Sequence, residues 1–80
     1  DIRVDGEKKF IIEGRRKPIV PTFITIPDKG SVLKVVWKGI EYTLPSGTSK
    51  VINIITSEGI NELTFLGNGT ISIDYRGGRL

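Results

Sequence analysis

Gly59-Ile-Asn-Glu-Leu-Thr-Phe-Leu-Gly-Asn-Gly-Thr-Ile-Ser-Ile-Asp-Tyr-Arg-Gly-Gly-Arg-Leu80 is the stretch on which the fold turns. Two alternating runs flank Gly67-Asn68-Gly69, with Asn61, Leu63 and Phe65 before it and Ile71, Ile73 and Tyr75 after it. Alternation of this kind marks a strand with one buried face. The glycine-rich centre predicts a β-hairpin with a three-residue loop. Phe65 then faces Ile71, Leu63 faces Ile73, and every large apolar side chain except Leu66 lies on one face. A two-residue loop would oppose Phe65 to Ser72 and split the apolar set, since a slip of one residue turns a whole strand over. Asn68-Gly69 suits a type I turn closed by a left-handed glycine.

Working outward, a second hairpin is predicted by pairing. With Lys38-Gly39 as a two-residue loop, Trp37 faces Ile40, Val35 faces Tyr42 and Leu33 faces Leu44. All six are apolar or aromatic, and cross-strand pairs of this type stabilise sheets. Further strands are expected over Lys8 to Glu13, Thr22 to Ile26 and Lys50 to Thr56. The connections expected between them are Gly14 to Pro21, Pro27-Asp28-Lys29-Gly30 and Pro45-Ser46-Gly47-Thr48-Ser49. Seven short strands at such spacing predict an all-β, small antiparallel β-sandwich, with an OB-type barrel as the alternative.

The composition agrees. The 80 residues contain no alanine and are rich in Ile, Val and Thr, which suit a pleated surface better than a helix. Residues 1–80 are expected to form one domain. Neither cysteine nor histidine is present, which excludes disulfides, thiol nucleophiles, His-based triads and Cys/His zinc sites. No apolar run reaches the length of a spanning helix. Methionine is absent and the chain starts at Asp1, so it is expected to be a fragment of a longer protein.

The same C-terminal segment resembles the end of the distal tail proteins of long-tailed bacteriophages. That family often closes with Gly-x-Asn-x-Leu-x-Phe-x-Gly, a glycine turn, an alternating strand ending in Tyr-Arg, and a final leucine. Gly59, Asn61, Leu63, Phe65, Gly67, Gly69, Ile71, Ile73, Tyr75, Arg76 and Leu80 match this pattern. Lys17-Pro18-Ile19-Val20-Pro21-Thr22-Phe23 is similar to the start of the family's C-terminal domain. The resemblance implies a galectin-like or carbohydrate-module-like sandwich, projecting from a parent that forms a homo-oligomeric ring through a separate N-terminal domain. It implies a place in the virion tail, assembled in the bacterial cytoplasm, with other tail or baseplate proteins as partners.

No catalytic set emerges from the sequence. The carboxylates are scattered over outward strand positions and turns, no phosphate-loop spacing is present, and no cofactor or metal is expected. The chain is therefore expected to be no enzyme. Two kinds of binding remain open. A sugar-binding surface for host polysaccharide would recruit Trp37 and Tyr42 for stacking, with Asn61, Glu62 and Arg76 for hydroxyl groups; against it, both aromatics share the predicted core face. A protein-contact surface would use Ile11, Val36, Val51, Ile55 and Leu66, which oppose the predicted core face. Arg15, Arg16 and Lys17 would join it or form a solvated loop. The net charge of +3 lacks the basic-aromatic interleaving of a nucleic-acid surface, so nucleic acid is not an expected partner.

Overall fold

The computed structural model of the chain describes residues 2–14 and 18–74. They form an all-β domain of six antiparallel strands: β1 (Ile2–Gly14), β2 (Thr22–Pro27), β3 (Leu33–Trp37), β4 (Ile40–Leu44), β5 (Gly47–Lys50) and β6 (Gly59–Asp74). One strand organises the others. Along one edge β6 pairs with β1, from Gly14↔Gly59 to Ile2↔Ile71. Its other edge is shared: Thr64 to Leu66 pair with β3, and Gly69 to Asp74 pair with β2. Strand β4 extends the β3 side and β5 the β2 side.

The predicted C-terminal hairpin is corrected by this arrangement. Gly67-Asn68-Gly69 is no loop; the chain runs straight through it as the middle of β6. The face assignment nevertheless holds, because Asn61, Leu63, Phe65 and Ile71 are buried and Ile73 packs against the core. A three-residue loop and no loop at all preserve the same odd–even parity, so alternation alone cannot separate them.

The glycines have a different job here. At Gly67, φ is +112°, and a Cβ would sit 2.3 Å from the carbonyl oxygen of Val32. At Gly69 it would sit 2.6 Å from that of Ile26. The connection between β2 and β3 thus crosses directly over β6 where β6 changes partner. Asp28 N donates to Asn68 O (2.9 Å), and Asn68 N donates to Ser31 Oγ (3.0 Å), fixing the crossing. Arg3 completes it with a bidentate pair to Asp28, at 2.6 and 3.1 Å.

Bent at this point, the sheet curls into two facing leaves. Phe23 in one leaf meets Phe65 in the other edge to face, with ring centroids 6.1 Å apart. Around them Val4, Ile12, Leu33, Val35, Leu44, Ile54, Leu63 and Ile71 are fully or almost fully buried. Burial of this apolar surface is the main stabilising term for so small a domain.

Elsewhere the predictions meet mixed outcomes. The hairpin at Lys38-Gly39 forms with all three predicted pairs, and its loop residues both have positive φ, 50° and 81°, as a primed two-residue turn requires. The strand expected over Lys50 to Thr56 does not form, and the turn expected at Pro45 to Ser49 supplies β5 instead. The hydroxyl of buried Thr25 donates to Pro45 O and, at 3.3 Å, to Gly47 O, holding β5 beside β2. Residues 51–54 instead make a turn, with Ile54 N donating to Val51 O at 2.9 Å. Thr56 then bridges to Ile19 through both backbones, at 2.8 and 3.1 Å. Among the described residues six strands therefore stand where seven were expected.

Candidate functional site: an apolar groove beside the β3–β4 hairpin

The β3–β4 hairpin and the turn at residues 51–54 enclose a groove of about 470 Å³. Trp37 and Tyr42 line it from the hairpin. Trp37 is only 5% exposed, while Tyr42 is half-buried against the core. Around them stand three aliphatic side chains largely in solvent: Ile40 (56% exposed), Ile52 (76%) and Ile55 (46%). Besides the two aromatics, the lining includes the polar residues Lys38 and Asn53, and Lys38 carries its one charged side chain. The Lys38 ammonium lies 5.3 Å from the Trp37 ring centroid, a cation–π contact that keeps the charge at the groove's rim.

Local sequence explains the shape. A two-residue turn leaves Ile40 directly after the loop, at the tip of the hairpin. Ile40 was expected in the core, and its exposure is a correction. Ile52 and Asn53 are the central residues of the turn at 51–54, and central turn residues point to solvent. Asn53, a common turn former, was the available signal that the run Lys50 to Thr56 is broken there.

A second depression, of about 450 Å³, lies on the other side of Trp37 and Lys38. Val36, Ile60, Glu62 and Thr64 line it, with Asn61 at its floor. Asn61 is buried and its amide is fully engaged. Nδ2 donates to Ser57 O (2.8 Å), Ile12 O (3.2 Å) and Gly59 O (3.2 Å), and Oδ1 accepts from Ser57 N (3.1 Å). It closes the loop before β6 and has no donor left for a ligand.

The residues proposed for sugar therefore separate. Trp37 and Tyr42 come together in the groove; Asn61 and Glu62 lie in the neighbouring depression with Trp37. Arg76 lies outside the described residues, as do Arg15, Arg16 and Lys17. Of the residues proposed for protein contact, Ile55 lines the groove and Ile11 is 57% exposed on β1. Val36 and Leu66 are half-buried, and Val51 packs onto the core instead of facing outward. Ile40, Ile52, Asn53 and Lys38 were not foreseen as site residues.

No family model matches the chain, and no significant match arises among curated proteins or solved structures.

Proposed function

We propose that this chain is a non-enzymatic docking domain of a phage tail tip or baseplate, which holds a neighbouring tail protein in the groove beside the β3–β4 hairpin. The observation that carries the docking role is the cluster of Ile40, Ile52 and Ile55 around Tyr42. Exposed aliphatic side chains grouped about an aromatic are characteristic of protein contact surfaces. A sugar site instead presents an open aromatic face ringed by hydroxyl-binding amides and carboxylates. The tail-tip setting, the ring of the parent protein and the virion location rest on the resemblance of the C-terminal sequence.

The lining also defines what fits. Apolar walls call for one or two aliphatic or aromatic side chains, and Lys38 at the rim favours a carboxylate beside them. An extended segment of another tail protein with an acidic residue next to an apolar anchor has that chemistry.

A chemical-shift titration of the isotope-labelled chain tests this, with short acid-bearing apolar peptides in one arm and bacterial cell-wall polysaccharides in the other. Peptide-induced shifts confined to residues 37–42 and 52–55, and absent in Ile52→Glu, are expected. Saturable binding of a polysaccharide, with no response to peptides, would replace docking by host adhesion.

A further inference from the structure

Strand β1 pairs with β6 through all its residues from Ile2 to Gly14, and without a bulge. Among the described residues no strand pairs with its other edge. Such an edge offers a row of N–H and C=O groups to any strand that fits. Beyond Gly6, whose φ of +95° accompanies the bend of the sheet, the segment Lys8 to Gly14 belongs to the leaf of β3 and β4. On its outer face Lys9, Ile11 and Glu13 are all exposed, Ile11 by 57%. Ile60, 69% exposed, stands diagonally across from Ile11 on β6.

We propose that Lys8 to Gly14 pairs antiparallel with the same segment of a second copy of this chain, about a two-fold axis through Ile11. The register follows from charge. Opposed residues in an antiparallel ladder form hydrogen-bonded and non-hydrogen-bonded pairs in alternation, so a strand pairing with itself must oppose residues of equal parity. Centred on Lys9, the pairing opposes Lys9 to itself. Centred on Phe10, it opposes Glu7 to Glu13. Centred on Ile12, it sets Ile11 against Glu13 and shortens the ladder. Centred on Lys8, it opposes Lys8 to itself and must run through the bend at Gly6.

Only the register centred on Ile11 joins opposite charges without opposing like ones. Lys9 faces the second copy's Glu13 on both sides of the axis, Ile11 faces its own copy, and Phe10 faces Ile12 along the inner face. The exposed Ile11 is then covered, and β4, β3, β6 and β1 of the two copies join into one eight-stranded sheet. The contact is small, so the dimer is weak and its population depends on concentration.

Sedimentation equilibrium of the 80-residue chain, up to about 1 mM, tests the proposal. The expected result is a reversible monomer–dimer equilibrium that Lys9→Glu and Glu13→Lys each weaken by about tenfold or more. An equimolar mixture of the two variants, and the double variant, should both recover the parent's association, which also shows that each variant is folded. A chain that stays monomeric overturns the proposal, and so does a dimer that both single reversals leave unchanged.

Discussion

The carbonyl oxygen of Val32 passes so close to Gly67 that a Cβ there would lie 2.3 Å away. That approach places the β2–β3 connection against the middle of β6 and lets one strand serve two leaves. Backbone, and not a movable side chain, fills the space, and φ at Gly67 is already +112°. Gly67→Ala should therefore lose about 2–4 kcal/mol of stability. Gly39, with φ of +81° but open space around it, provides the control; Gly39→Ala should cost about 1 kcal/mol. Urea unfolding of both variants measures the difference, and equal losses would mean that the crossing is not tight.

Asn61→Ala removes the four side-chain hydrogen bonds by which Asn61 ties β6 to Ser57, Gly59 and Ile12. It takes a donor from Ile12 O, where the bond is buried, and the acceptor from Ser57 N. A loss of about 1–3 kcal/mol is expected. Amide exchange at Ser57 should accelerate along with it, and unchanged exchange there would show that the loop is held by other contacts.

Arg3 holds the Asp28 carboxyl below its ordinary value of 3.8, chiefly through their hydrogen bonds, and Asp28 in turn raises the Arg3 guanidinium. A carboxylate with a depressed folded-state value contributes its stability fully above the unfolded value. That contribution is lost as pH falls from about the unfolded value through the depressed one. Both groups are exposed, so the contribution is small and salt-sensitive. Carbon-detected titration should give Asp28 a midpoint below 3.8, returning toward it in Arg3→Ala. Identical midpoints in both chains would show that the pair does not persist in solution.

Trp37, 5% exposed, should emit at short wavelength and resist quenching by iodide. Trp37→Ala should cost about 3–5 kcal/mol, a large share of the stability of a domain this size. In contrast Ile52→Glu, at a position 76% exposed, should leave unfolding within about 0.5 kcal/mol of the parent while abolishing the proposed peptide binding. Strong iodide quenching of the native chain would place the ring at the surface and reopen stacking on sugars.

By itself the sequence determined which side chains of β3 and β6 face inward and how Trp37 returns to Ile40. Both follow from local rules: the pleat alternates every residue, and a two-residue turn fixes the pairing that follows it. It also determined the all-β class, through residues that fit a pleated surface and glycines that punctuate it. Whether the chain turns at Gly67-Asn68-Gly69 lay beyond such rules, because a loop of three residues and a continuous strand bury the same odd-numbered positions. The choice was made by distant partners. Val32 and Ile26 need space above the glycines, Asp28 and Ser31 bind Asn68, and β1 offers β6 a ladder that continues past all three residues. The groove has the same origin: Ile40 and Ile52 look like core residues in sequence but stand in solvent, one at the tip of the hairpin and the other at the centre of the 51–54 turn.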